Sequence, residues 1–168
     1  MSHPIPNILI LCTGNSARSI MAEALLNTLG QGRLCAYSAG SHPAGQVHPL
    51  ALEQLRALSY PTASLRSKSW DEFARPDAPH MDIILTVCDN AAGEICPIWP
   101  GQPITAHWGF ADPAAISGSE AEQRRAFARI FRQIQHRVQQ LLALPLGELE
   151  ADSLRRELAR IGHSPLPE

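Results

Sequence analysis

Apolar residues follow two patterns along this chain. Short unbroken runs, Ile8-Leu9-Ile10-Leu11 and Ile83-Ile84-Leu85, have the length of strands buried on both faces. Elsewhere apolar residues recur every three or four positions, the period of a helix with one buried side. Met21, Ala24, Leu25, Thr28 and Leu29 predict a helix from about Ser19 to Leu29, closed by Gly30 and Gly32. Leu52, Leu55 and Leu58, with Ala51 beside them, predict a second helix whose first turn suits Pro49. The longest stripe is Phe127, Ile130, Phe131, Ile134, Val138, Leu141 and Leu142. It predicts a helix from about Ser119 to Ala143, with Glu120 and Glu122 complementing its dipole and Pro145 and Gly147 ending it. Glu148 to Ile161 is a further amphipathic piece, and the tail from His163 to Glu168 is expected to fray.

The strands expected are Asn7–Leu11, Leu34–Ser38, Met81–Val87 and Ile104–Trp108, with a short helix at Trp70–Phe73 and a Pro/Gly-rich segment from Ala92 to Pro103. Strands alternating with helices argue for an α/β fold, a parallel sheet with helices on both faces. Ligands of such sheets sit at the carboxyl ends of the strands. Cys12, Cys88 and the loop holding Asp112 all follow strands, so all three can face one crevice.

The totals narrow the function. A chain of 168 residues can hold one well-cored domain. A formal charge of −2, with no basic run, argues against a nucleic-acid partner. No apolar run approaches the ~20 residues of a membrane span. Met1-Ser2-His3-Pro4 does not open a secretory signal, so the four cysteines fit a reducing cytoplasm better than a disulfide framework. No histidine pairs with a cysteine at zinc-ligand spacing, and no metal site is expected. His42 and His48 flank turn prolines and read as surface or capping residues. Cys35, inside a predicted strand, reads as a structural core thiol.

The chemistry concentrates after the first strand. Cys12 ends the run Ile8–Leu11, and a loop with Gly14 and Asn15 leads into a helix. Backbone N–H groups of Thr13, Gly14, Asn15, Ser16, Ala17, Arg18 and Ser19 can converge on an anion at that helix N-terminus. Arg18 adds a planar fork suited to a tetrahedral oxyanion. These groups should favour the Cys12 thiolate, and Ser19 can donate a hydrogen bond to its sulfur. An activated nucleophile inside an oxyanion cradle attacks phosphorus or a similar atom. The departing oxygen then needs a proton, for which Asp112 is the candidate. Taken alone, Asp112-Pro113 could equally be a turn.

Cys12-Thr13-Gly14-Asn15-Ser16 with Arg18-Ser19 resembles the active loop of the low-molecular-weight protein tyrosine phosphatases and of the arsenate reductases that share their fold. Thr86-Val87-Cys88, Cys96-Pro97-Ile98 and His107-Trp108-Gly109-Phe110 resemble the thioredoxin-linked arsenate reductases. The resemblance implies a three-layer fold with a four-stranded central sheet. Residues 1–144 would form the domain, and 145–168 a helical extension packed on it or trailing it. It makes Asp112 the general acid, Cys12 the nucleophile, Cys88 the first resolving thiol and Cys96 the second. Arsenate, or a phosphate-like oxyanion, is then the substrate. The oxidised pair is Cys88–Cys96, reduced by an external dithiol such as thioredoxin or by glutaredoxin and glutathione.

A phosphatase of this fold is the main alternative, and an oxyanion-binding sensor without turnover the next. Phosphatases commonly place tyrosines after the Asp-Pro pair, whereas Ala114-Ala115 follow here and the only tyrosines are Tyr37 and Tyr60. No tightly bound cofactor is expected. Some relatives hold potassium with residues matching Asn15, Glu23 and Ser38, but the fourth ligand, an Asp, falls near Lys68-Ser69. That puts a potassium site in doubt, and a lysine there could supply the charge instead. The expected protein is a cytoplasmic monomer.

Overall fold

A computed structural model describes residues 5–88, 99 and 101–168. Four strands are described: β1 (Asn7–Cys12), β2 (Cys35–Gly40), β3 (Ile83–Thr86) and β4 (Ile104–His107). The α-helices are α1 (Arg18–Gly30), α2 (Pro49–Ala57), α3 (Glu120–Leu142) and α4 (Ala151–Gly162), with 3-10 turns at Trp70–Phe73 and Pro113–Ala115. The sheet is wholly parallel, in the order β2-β1-β3-β4. In this order the chain leaves β1 in one direction to form β2, then crosses back to β3. The crevice between the carboxyl ends of β1 and β3 is therefore the topological switch point, where an open α/β sheet binds its ligand.

The unbroken apolar run of β1 is explained by its place. It is flanked by β2 and β3, and Ile8, Leu9, Ile10 and Leu11 are all 0% exposed. Alternate residues serve different cores. Ile8, Ile10, Cys12, Ile83, Leu85 and Val87 pack with α1, α2, α3 and α4. Leu9, Leu11, Ala39 and Ile84 pack on the opposite face against Phe73, Met81 and Trp99. Burial of each large side chain such as Phe127 or Phe131 contributes about 2–3 kcal/mol. Edge strand β4 alternates half-buried Ile104 and Ala106 with exposed Thr105 and His107.

Helix α1 has buried residues on almost every side, from Ser19 through Leu26, because it is enclosed by the sheet, α2 and α3. It ends on Gln31 in the left-handed conformation, with Gly32 following at positive φ. Ser119 caps α3, its Oγ accepting from the Glu122 N–H at 3.1 Å, and the other end is held by Arg33, whose Nη2 donates to the Leu142 carbonyl. No helix among the described residues is long and apolar enough to cross a membrane.

Several local expectations need correction. Helix α2 buries only Ala51 and Leu55; Leu52 is half-buried, and Leu58 is 50% exposed because the helix has already ended. Cys35 is exposed, not a core thiol: it opens edge strand β2, where the sheet covers it on one side only. The tail is docked, not frayed. Gln133 donates to the Pro167 carbonyl, Arg137 to the Ser164 carbonyl, and Leu166 packs against the main core.

Candidate active site

Cys12 is the last residue of β1, and α1 begins at Arg18, so residues 13–17 make the whole turn from strand to helix. The turn is possible because Asn15 takes a left-handed φ of 46°, which Asn tolerates better than most residues. Its outer surface is tied down through carbonyls. His42 N donates to Thr13 O at 2.9 Å, Ala44 N to Gly14 O at 2.9 Å and His48 N to Ser16 O at 2.8 Å. Ser67 Oγ adds a second bond to Gly14 O, at 3.1 Å. In a trans peptide the carbonyl and the following N–H point in opposite directions. The N–H groups of Gly14 and Ala17 are thereby turned away from these outer partners.

They face a small cavity of about 190 Å³ lined by Cys12, Thr13, Gly14, Ser16, Ala17, Arg18, Asp112 and Ala114. Among the described residues no side chain caps the N-terminus of α1, where Ala17 is the capping residue. The first-turn donors are left for an anion.

Arg18 closes one side. Its Nη1 donates to the Phe110 carbonyl at 3.0 Å, and its Nη2 stands 3.8 Å from Asp112 Oδ2. Asp112 also caps the Pro113–Ala115 turn, Oδ1 accepting from Ala114 N at 2.9 Å. One carboxylate oxygen therefore builds the turn while the other faces Arg18.

Cys12 and Cys88 are both buried at the ends of neighbouring strands β1 and β3. The Thr13 hydroxyl lies 3.7 Å from Cys88 Sγ. Here the expected thiolate stabilisation meets a larger opposing effect. The Cys88 thiol hydrogen-bonded to Cys12, together with burial, pushes the Cys12 thiol up; Arg18 and the Thr13 backbone N–H pull it down. Arg18 and the Thr13 N–H are the groups that favour the Cys12 thiolate against these larger effects. Cys96 lies outside the described residues.

Ser19 Oγ accepts from Asn15 Nδ2 at 2.8 Å, which leaves its own hydrogen to donate. Asn15 Nδ2 also reaches Ser38 Oγ at 3.0 Å, and Asn15 Oδ1 accepts from Lys68 N at 2.9 Å. Ser38 Oγ donates to Glu23 Oε1 at 2.6 Å, and Lys68 Nζ lies 3.8 Å from the same oxygen. Thus the Lys68 ammonium does sit in the group formed by Asn15, Glu23 and Ser38. Burial pushes Glu23 up and Lys68 down, while their mutual attraction opposes both shifts. Among the described residues no cluster of three His, Cys, Asp or Glu side chains could hold a metal ion.

The sequence reading missed three parts of this site. They are the Phe110 carbonyl, the close packing of Gly40 on Thr13, and Arg137 behind Gly109. Arg137 alone had a sequence signal: it falls in the buried stripe of α3 beside Ile134, Val138 and Leu141.

The family of low molecular weight phosphotyrosine protein phosphatases matches residues 7–159. An arsenate reductase of Halalkalibacterium halodurans is 34% identical over 131 residues, covering 78% of this chain and 91% of that one. A solved arsenate reductase in its phosphate-binding state superposes with a TM-score of 0.63 at 27% identity, over 82% of this chain and 97% of the other. The thioredoxin-dependent arsenate reductase of Corynebacterium glutamicum gives a TM-score of 0.59 at 25% identity, over 83% of this chain and 60% of that one. A strand-end cysteine, an inward-facing amide loop and an arginine at the helix start are joined here to a match over nearly the whole chain, and the chain belongs to the low molecular weight phosphotyrosine protein phosphatase family, on its arsenate reductase branch.

Proposed function

We propose that this protein reduces arsenate to arsenite through Cys12, Cys88 and Cys96. The cradle amides from Thr13 to Ser19 and the Arg18 guanidinium hold the oxyanion, and the Cys12 thiolate attacks arsenic. Asp112 gives its proton to the departing oxygen, which leaves as water with an S–As bond formed. Cys88 then attacks Cys12 Sγ. The S–As electron pair goes to arsenic, which falls from the pentavalent to the trivalent state and departs as arsenite. Cys96 attacks Cys88 in turn and frees Cys12 as a thiolate. A dithiol protein reduces the resulting Cys88–Cys96 bond by the same exchange chemistry. The thioredoxin dependence of the Corynebacterium relative supports thioredoxin as that reductant, and the protein would then act in the reducing cytoplasm.

The observation that carries this reading is the placement of two buried thiols after neighbouring parallel strands: Cys12 lines an oxyanion-sized cavity, and Cys88 Sγ lies 3.7 Å from the hydroxyl of Thr13, the next residue of its lining. Phosphoester hydrolysis needs only Cys12, Arg18 and Asp112, and would leave Cys88 without a task. Among the described residues no aromatic side chain lines the cavity to receive a phosphotyrosine ring.

The test is arsenate-dependent turnover with thioredoxin, its reductase and NADPH, for the wild type, Cys88→Ser and Cys96→Ser. Turnover by the wild type with both variants stalled is expected. A wild type inert toward arsenate that hydrolyses an aryl phosphate, with both variants equally active, would make the protein a phosphatase.

A further inference from the structure

Arg137 is 4% exposed in the apolar stripe of α3. No carboxylate pairs with it among the described residues. Its donors go to backbone carbonyls: Nη1 to Gly109 O at 2.9 Å, and Nη2 to Gly162 O at 2.9 Å and Ser164 O at 3.3 Å. The guanidinium carbon lies 4.9 Å from the centre of the Phe110 ring, while Nε makes no hydrogen bond among the described residues. Burying a cation without a counter-charge is costly, and a leucine or methionine would fill the stripe without that cost. What the arginine adds is a junction between α3, the 109–110 segment and the end of α4.

That segment matters to the site. Its Phe110 carbonyl accepts from Arg18 Nη1 at 3.0 Å. Trp108 N and Phe110 N donate to Thr86 O and Val87 O at 2.7 and 3.2 Å, which bonds the same segment to the chain just before Cys88. From outside, α4 closes over it. Trp108 Nε1 donates to Leu158 O at 2.9 Å, and Gly162 approaches so closely that a Cβ there would lie 2.6 Å from His107 O.

We infer that Arg137 is a positioning residue for oxyanion capture: by gripping Gly109 and Phe110 it fixes the carbonyl that aims Arg18, and α4 completes the grip through Gly162 and Ser164. This rests on the reading of the Cys12 loop as an oxyanion site. A fork with several donors on a rigid plane suits the task, and a lysine would not reproduce it.

The test uses the full chain and inorganic phosphate. The rate of iodoacetamide alkylation at Cys12, followed on the Cys12 peptide by mass spectrometry, is measured against phosphate concentration to give a Kd. Arg137→Ala is expected to raise that Kd about tenfold, the effect of misplacing one charge-assisted bond. Millimolar guanidinium should restore it, and KM for arsenate should rise with it. Arg137→Lys should fall between the two. A lowered Tm with Kd and KM within about twofold of wild type would make Arg137 a packing residue only and overturn the inference. If the alanine variant does not fold, the lysine variant decides by the same Kd: a severalfold rise supports the inference and no change overturns it. Failure of phosphate to protect Cys12 in the wild type would instead overturn the oxyanion reading, and this inference with it.

Discussion

The Lys68 ammonium stands 3.8 Å from Glu23 Oε1, with side chains only 7% and 10% exposed. This pair lies behind the Cys12 loop, joined to it through Ser38 and Asn15. An internal cation at this position leaves no charge for a bound potassium ion to supply. Wild-type turnover is therefore expected to be the same in potassium and sodium salts, and a clear activation by potassium would contradict it. Lys68→Met strands the Glu23 carboxylate, at a cost of about 3 kcal/mol where Glu23 stays ionised. Burial already raises Glu23 above its unfolded value of 4.5, so its contribution is fully present below that value and is lost as pH rises through the folded one. Removing Lys68 takes away an opposing attraction and raises Glu23 further. Denaturant unfolding between about pH 5 and 8 should show stability falling more steeply with pH in the variant than in the wild type.

Cys88 is the leading cause holding the Cys12 proton, ahead of burial. Cys88→Ala removes both the hydrogen bond and the neighbouring charge while keeping Arg18 and the Thr13 N–H. The pH midpoint for alkylation of Cys12 should move down in that variant. An unchanged or higher midpoint would mean that burial alone governs Cys12.

How much of this was legible in the sequence depends on how local each cause is. The Cys12 loop was readable because strand end, turn residues and helix start lie within a few positions. Four apolar residues in a row correctly marked β1 as buried on both faces, since a strand between two neighbours and two cores has no polar face. Cys35 and Leu58 were misread because their exposure depends on where an edge strand begins and a helix stops. The docked tail was missed because its partners, Gln133, Arg137 and Gln140, sit on a helix far away in sequence. The direction of the Cys12 shift was missed for the same reason: Cys88 arrives from β3, and only the parallel register brings the two thiols together.

Asp112 builds its turn with one oxygen and faces Arg18 with the other. Asp112→Asn retains an oxygen to accept from Ala114 N but has no acidic proton to give. Turnover with arsenate should fall by about 10²–10³ in kcat, the usual worth of a positioned general acid. Phosphate affinity should stay close to wild type. Asp112→Ala loses the cap as well and should cost roughly a further 1 kcal/mol of stability in denaturant unfolding. Equal kcat in the aspartate and asparagine forms would remove Asp112 from the chemistry and leave it only the turn.

Gly40 ends β2 with its N–H bonded to Lys68 O at 2.9 Å, and a Cβ there would meet Thr13 O at 2.4 Å and Asn15 N at 3.1 Å. Thr13 O and Asn15 N are backbone atoms of the cradle, so neither can rotate aside as a side chain would. Gly40→Ala should therefore push the Thr13 carbonyl away from His42 N and disturb the amides that face the cavity. A stability loss of about 1–3 kcal/mol is expected from the overpacking. Phosphate affinity should also fall, read from the protection of Cys12 against alkylation. The control is Gly32→Ala, at a φ of 83° with nothing within 4 Å of the added carbon. It pays only for the left-handed backbone, about 1 kcal/mol, at a site away from the cradle. If both variants lose stability but only the Gly40 one loses phosphate, the effect on the anion comes from the cradle backbone. Equal phosphate affinity in both would mean that the loop tolerates displacement at Thr13, and that the inward amides of Gly14 and Ala17 are not held by this contact.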